Sequence, residues 1–264
     1  MDSQSKNGVQ AYNKKDLVFA LCVFVLCVVM QFVTIVLEVS PRTTLYWVLT
    51  WFPVILAMLI FTFLRHRSFA SIGIHRRKWG HSLLVGLIFS LIPVGSMIIL
   101  GLVMGWEFST PEYMLFALLN VIVFAATEDI LFVGFIQTRL SGFFKSDRTA
   151  IYIGSAMFAL AHLPSRIMAG TIDETIITYM VMWFFMHQVF VWVFRRHNAI
   201  YATIVLHTFI NFAPRMWVWV IPYDTRVPVG VWPHFVILVL FILTRVWESR
   251  IKKRDAVMNK SDNT

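Results

Sequence analysis

The chain has 264 residues, of which 58% are hydrophobic and only 14% are charged, and its mean hydropathy is +0.72. Soluble domains carry about 25% charged residues, so this composition excludes a soluble globular protein. It indicates an all-α, polytopic membrane protein, and a single membrane domain accounts for the whole length.

Eight apolar stretches follow one another along the chain. Each is long enough, or nearly so, to cross a hydrocarbon core of roughly 30 Å, which takes about 20 helical residues. They cover about 17–38, 44–64, 82–104, 113–138, 149–163, 175–194, 198–221 and 229–247. The sequence therefore predicts one bundle of about eight transmembrane helices. The predicted domain spans residues 16–254, between polar cytosolic tails at 1–15 and 255–264.

Basic residues are distributed unevenly between the predicted loops. If the N-terminus lies inside the cell, most of the 23 lysines and arginines fall in inner segments. Cytoplasmic loops carry an excess of Lys and Arg, so we predict an even number of spans with both termini in the cytosol. The net charge of +9 is then mostly a topology signal, which also suits an anionic inner leaflet. The expected partner is the lipid bilayer, and the charge requires no nucleic acid.

Five ionisable residues lie well inside the predicted spans, namely Glu128, Asp129, His162, His187 and His207. A charged acid at the centre of a membrane helix costs about 2.5–3.5 kcal/mol. Such residues usually face the bundle interior or a water-filled cavity, and they mark function. His187, in "MHQVF", lies nearer the membrane edge, and we interpret it as a residue that hydrogen-bonds between helices.

Four polar residues from three predicted spans fall at similar depth. Counted from the nearest inner basic residue at about 1.5 Å per helical residue, Glu128 and His207 lie roughly 16 Å deep. His162 and Asn211 lie roughly 21–22 Å deep by the same count. His207 and Asn211, in "HTFIN", are one turn apart on one helix face. Pro164 predicts a helix end just after His162. The four side chains are therefore expected to meet near the middle of the bilayer.

A carboxylate, two imidazoles and a carboxamide in one layer suggest hydrolysis. Glu128 can act as general base on a water molecule, and Asn211 can donate its amide N–H to a developing oxyanion. Alternatively, Glu128, His162 and His207 can bind Zn²⁺ with an open position for water. The residues leave these two chemistries open. Asp129 is expected to support the site by orienting a histidine or capping a broken turn.

Three short motifs, in the order "EDILFVGF", "FALAH" and "HTFIN", resemble a known pattern. The pattern is similar to that of the CPBP, or Abi, family of intramembrane endopeptidases. This family includes the type II CaaX prenyl proteases and bacteriocin-processing or immunity proteins. The resemblance covers about residues 112–215, and a bundle of eight spans suits the family fold.

The resemblance also implies a role for each motif residue. Glu128 and His162 match the family residues that are taken to activate water. His207 and Asn211 match those that stabilise the oxyanion. Whether a metal takes part is disputed for the family, so a metalloprotease stays an alternative.

Two positions depart from the family's pattern. The expected Arg at position 133 is Val133, and the second acid, normally Glu, is Asp129, which is one methylene shorter. The lost Arg removes a charge that can hold the acid pair ionised and fixed. Arg139, about 9 Å further along the helix, is an imperfect substitute. A divergent or inactive family member is therefore the alternative to an active one.

The predicted function is an intramembrane endopeptidase acting on a membrane-associated peptide or protein. Prenylated CaaX substrates are implied only if the host makes prenylated proteins. In a bacterium, processing of a peptide pheromone, bacteriocin or leader at the plasma (inner) membrane is expected. One alternative is a catalytically weak or inactive immunity or scaffold protein. Another is a proton-coupled transporter with Glu128 and the histidines as a relay, although the paired broken helices typical of transporters are not evident.

Overall fold

A computed structural model describes residues 13–39, 44–76, 79–144, 146–168, 175–218 and 223–261. Within these residues the chain is helical, and its β-structure is limited to an isolated bridge between Phe108 and Trp217. The α-helices are α1 Lys14–Val36, α2 Thr44–His66, α3 Trp79–Val103, α4 Pro111–Asp129, α5 Gln137–Phe143, α6 Asp147–Ala161, α7 Leu163–Met168, α8 Thr175–His197, α9 Tyr201–Phe212 and α10 Tyr223–Ser261. The all-α membrane class is therefore confirmed.

Six stretches of the described chain are long and apolar enough to cross a membrane. They are Lys14–Val36, Val48–His66, Trp79–Val103, Pro111–Phe143, Thr175–His197 and Gly230–Ile251. The predicted count of eight is not confirmed, because the fifth and seventh stretches form α6 and α9, of 15 and 12 residues. At 1.5 Å per residue these helices are roughly 22 and 18 Å long, too short for a core of roughly 30 Å.

The predicted tails are described only in part. Residues 1–12 and 262–264 lie outside the described residues. Helix α10 continues through residues 255–261, so most of the predicted C-terminal tail extends the last helix. The cytosolic location of both termini stays a prediction.

Prolines account for the ends of both short helices. Helix α6 ends at Ala161, three residues before Pro164, and α9 ends at Phe212, two residues before Pro214. Proline lacks an N–H and disfavours the helical conformation of the residue before it, so an α-helix commonly stops there. Both helices therefore end inside the bundle, and their ends lie close to the buried polar residues.

The carbonyl groups at the end of α6 have side-chain partners. Gln31 of α1 donates its Nε2–H to the Ala161 carbonyl at 2.8 Å, and Ser165 donates its hydroxyl to the His162 carbonyl at 2.8 Å. A buried carbonyl without a partner costs free energy, so these partners stabilise the helix end inside the bundle. Helix α1 thereby helps to hold the end of α6.

Helix α9 packs closely against α3. A Cβ built at Gly86 would lie 2.7 Å from the Val205 Cβ and 2.8 Å from the Ala202 carbonyl oxygen. The Ser82 hydroxyl also accepts a hydrogen bond from the Ala202 N–H at 2.9 Å. Small residues let membrane helices approach in this way. The position of α9 therefore depends on α3.

Replacing Gly86 by Ala is expected to lower the free energy of unfolding by about 1–3 kcal/mol, because the new methyl group overpacks the backbone of α9. Thermal unfolding in detergent measures the change. Gly95→Ala in the same helix is the matched control, since nothing lies within 4 Å of its Cβ position. Equal melting temperatures for the two variants would contradict close packing at Gly86.

Candidate active site

The two adjacent acids end α4. Glu128 is 8% exposed and Asp129 is fully buried. Adjacent helical residues point about 100° apart, so the two carboxylates face different surroundings. A π-helical segment, Ile130–Ile136, follows at once. Such segments are rare and frequently occur at functional sites.

His162 caps the C-terminal end of α6 and faces Glu128. Its Nε2 atom lies 3.7 Å from Glu128 Oε1. Its Nδ1 atom lies 2.8 Å from the Phe158 carbonyl oxygen, and because a carbonyl only accepts, Nδ1–H is the donor. The ring stacks on Trp183 with centroids 4.4 Å apart and meets the edge of Phe158 at 4.7 Å. These contacts fix the ring with Nε2 directed at the carboxylate.

His207, on α9, lies between the two acids. Its Nδ1 atom is 3.0 Å from Asp129 Oδ1, and its Nε2 atom is 3.7 Å from Glu128 Oε2. Its ring stacks on Phe190 with centroids 4.6 Å apart. This contact suits the predicted role of Asp129 in orienting a histidine, which stays a prediction.

One cavity of about 460 Å³ is lined by four of the predicted site residues, Glu128, His162, His207 and Asn211. Each oxygen of Glu128 faces a different imidazole, which places the carboxylate at the centre of the group. Among the described residues that line the cavity, Glu128 is the one acid. The structure thus brings together all four side chains that the sequence placed in one layer.

Residues 109–213 match the model of a family described as type II CAAX prenyl endopeptidase Rce1-like. The matched segment contains the acid pair, both histidines and Asn211. Over this segment the chain is similar to the Rce1-like family. The resemblance to CPBP endopeptidases drawn from the three motifs is thereby confirmed. The match spans less than half of the chain, and a comparison with curated proteins found no match.

The structure shows the surroundings of Val133, which replaces the Arg of the family pattern, and of Arg139, the nearest arginine after it. Val133 is fully buried in the hydrophobic core. Arg139 is also fully buried, and it donates to the Ser71 carbonyl at 3.3 Å and to the Thr138 hydroxyl at 2.9 Å. Arg139 thereby joins α5 to the segment before α3. Among the described residues, the ion-pair partners of the acids are the two histidines.

Zinc binding by Glu128, His162 and His207 is the alternative chemistry that the sequence left open. Within the described part of the chain, no three or more His, Cys, Asp and Glu side chains are placed so that they could hold a metal ion. Glu128, His162 and His207 therefore do not form a ready three-ligand set, and a metalloprotease is not supported. Zinc binding stays a prediction that elemental analysis of the purified protein checks.

His187 lies outside the cavity. It is fully buried, and its Nδ1 atom lies 3.2 Å from the Ser155 hydroxyl of α6. Its ring also lies 5.3 Å from that of Phe158. These contacts agree with its interpretation as a residue that joins neighbouring helices.

Two arginines and a histidine that line the cavity were not predicted from the sequence as site residues, namely Arg166, Arg215 and His234. The signal for the arginines was spacing, since Arg166 follows His162 by four residues and Arg215 follows Asn211 by four. Charged residues at the ends of predicted spans are common, so this spacing did not stand out. His234 lies near the start of the apolar stretch Gly230–Ile251 and carried no motif.

Proposed function

We propose that this chain is an intramembrane endopeptidase that hydrolyses a peptide bond in a membrane-associated peptide or protein. The observation that supports this proposal most directly is the position of the Glu128 carboxylate in a buried cavity. Each of its two oxygens lies 3.7 Å from a histidine Nε2 atom. The match to an endopeptidase family over the same residues supports it. We place the protein in the plasma membrane of a prokaryote, with both termini in the cytosol.

Glu128 is the proposed general base. A separation of 3.7 Å exceeds a direct hydrogen bond and suits groups that share one water molecule. Glu128 removes a proton from that water as its oxygen attacks the peptide carbonyl carbon. His162 holds the same water through Nε2, because its Nδ1–H is already donated to the Phe158 carbonyl.

His207 and Asn211 are the proposed oxyanion donors. Asp129 accepts the Nδ1–H of His207 at 3.0 Å, and its negative charge stabilises a protonated imidazole. The Nε2–H of that imidazole can then donate to the oxygen of the tetrahedral intermediate. Asn211, one turn further along α9, can donate its carboxamide N–H to the same oxygen. Donors directed at developing charge in a buried site stabilise the transition state strongly.

The intermediate then breaks down with protons in balance. The C–N bond breaks as Glu128 returns the proton that it took from water to the leaving amine nitrogen. The products are a new carboxylate and a new amino terminus, and Glu128 is again ionised. The two departures from the family pattern, Asp129 and Val133, leave in place every group that these reaction steps use. This favours an active enzyme over an inactive immunity or scaffold protein.

Hydrolysis in ¹⁸O-labelled water tests the proposal. Protein in lipid nanodiscs is incubated with a pool of N-palmitoylated random hexapeptides, and products are analysed by mass spectrometry. We expect new C-termini that carry one ¹⁸O atom, which nanodiscs without protein do not produce. Peptides that are retained by the protein without new termini would instead indicate a binding or scaffold function.

A further inference from the structure

A second cavity, of about 150 Å³, lies among α3, α8, α9 and α10 and shares no described lining residue with the cavity around Glu128. Its described lining residues are apolar except Thr244, whose hydroxyl donates to the Leu240 carbonyl at 2.8 Å. One of them, Ile92, is 46% exposed, so the cavity is open towards the surface that faces lipid. Apolar cavities exclude water, and a hydrocarbon chain fits this one.

Two arginines lie beside the second cavity. The Arg196 guanidinium carbon lies 4.8 Å from the centroid of the Trp192 ring, and Trp192 lines the cavity. Arg245 directly follows Thr244, which also lines it. This arginine pair, Arg196 and Arg245, therefore places positive charge from α8 and α10 next to an apolar space.

Glu248 bridges the arginine pair. It forms an ion pair with Arg196, and its Oε2 atom lies 3.1 Å from Nη1 of Arg245. The two arginine side chains are 50% and 57% exposed. Because two cations share one carboxylate, the group keeps one net positive charge. Each guanidinium has five N–H donors, more than a shared carboxylate occupies, so the pair can also bind an external anion.

The order of charge and cavity matches the order within a phospholipid. Trp192 and Arg196 are one turn apart, which is roughly 6 Å along α8. Both arginines lie near the ends of their apolar stretches, Thr175–His197 and Gly230–Ile251, and charged side chains near span ends extend to the headgroup layer. A phosphate beside the arginine pair would therefore have its acyl chains at the level of the cavity.

We propose that α3, α8 and α10 form a binding site for one anionic phospholipid. The arginine pair binds its phosphate, and one acyl chain enters the second cavity beside Trp192. The net positive charge favours a lipid with net negative charge, such as phosphatidylglycerol, over zwitterionic phosphatidylcholine. A lipid held in this way joins α10 to α8. The inference does not depend on the proposed protease function.

Competition between two lipids tests the site. Protein in detergent is mixed with equal amounts of phosphatidylglycerol and phosphatidylcholine that have the same acyl chains, and native mass spectrometry counts the lipids bound. We expect phosphatidylglycerol to be bound roughly 10-fold better. The double variant Arg196→Gln/Arg245→Gln is expected to lose this preference, and Arg196→Lys/Arg245→Lys to keep part of it. Arg148→Gln, at an exposed position of α6, is the charge control and should bind like the wild type.

The cavity has its own matched pair of variants. Ile92→Trp is expected to narrow the cavity and to lower phosphatidylglycerol binding several-fold without any change of charge. Leu91→Trp is the control, since Leu91 is 69% exposed and does not line the cavity. Equal binding by these two variants would remove the acyl-chain part of the site.

Three outcomes overturn the lipid site as a whole. One is equal binding of the two lipids to the wild type. Another is a preference that survives in Arg196→Gln/Arg245→Gln, or that falls equally in Arg148→Gln, because it would then follow total charge. The third is displacement of phosphatidylglycerol by an equal concentration of glycerol 3-phosphate, which would show that the arginine pair binds a free phosphate ester.

Discussion

Glu128→Gln is expected to reduce the rate of peptide hydrolysis by about 10²- to 10⁴-fold. Glutamine has nearly the same shape as glutamate but cannot accept the proton of the attacking water. Removing a buried charge does not require the fold to change, so membrane insertion and melting temperature are expected to stay close to those of the wild type. Single-turnover cleavage of the peptide pool measures the rate, and size-exclusion chromatography checks the fold.

The matched control for this variant lies on the same helix. Glu112, in the first turn of α4, is exposed and lies outside the cavity. Glu112→Gln makes the same chemical change, and we expect the wild-type rate. Glu128→Gln protein that cleaves as fast as this control would remove the proposed general base and with it the mechanism.

Asp129→Asn is expected to lower kcat by roughly 10²- to 10⁴-fold, with a small change in KM. Asparagine removes the negative charge beside His207 Nδ1, which lies 3.0 Å from the Asp129 carboxylate. A neutral imidazole then keeps its one proton on Nδ1, where the asparagine oxygen accepts it, and Nε2 is left without a proton. His207 would then no longer donate to the oxyanion, although the substrate would still bind.

A double-mutant cycle separates this role from a general loss of stability. If Asp129 acts through His207, adding Asp129→Asn to His207→Gln should cost little further activity, because the two residues act as one unit. Asp147→Asn is the control at an exposed carboxylate that pairs with Arg195. If the rate loss of the double variant equals the product of the two single losses, Asp129 does not act through His207.

Much of the site could be predicted because charge is costly in a membrane. An acid in an apolar helix needs a polar partner, and depth alone limited the partners of Glu128 to groups in the same layer. His162 and His207 were found in this way, before any contact was known. The same argument predicted that Asp129 needs a neighbour, but only the structure shows that the neighbour is Nδ1 of His207.

Other features could not be predicted from the sequence. Hydropathy does not separate residues that face lipid from residues buried by neighbouring helices, so α6 and α9 counted as full spans although they are too short. The aromatic rings of α8 that stack on the histidines, Trp183 and Phe190, belong to a helix that carries no motif. Their contacts depend on how α8 packs, which local patterns do not encode.

The hydrogen bond from Gln31 to the carbonyl of Ala161 limits how freely the segment that matches the family can be moved between proteins. Gln31 lies outside residues 109–213, as does Ser82, which binds the first turn of α9. A graft of the matched segment alone into another bundle would leave polar backbone atoms stranded in hydrocarbon. Evolution can therefore vary the loops and tails of this protein more easily than it can exchange α1 or α3, and homologues should inherit these scaffold helices together with the motifs.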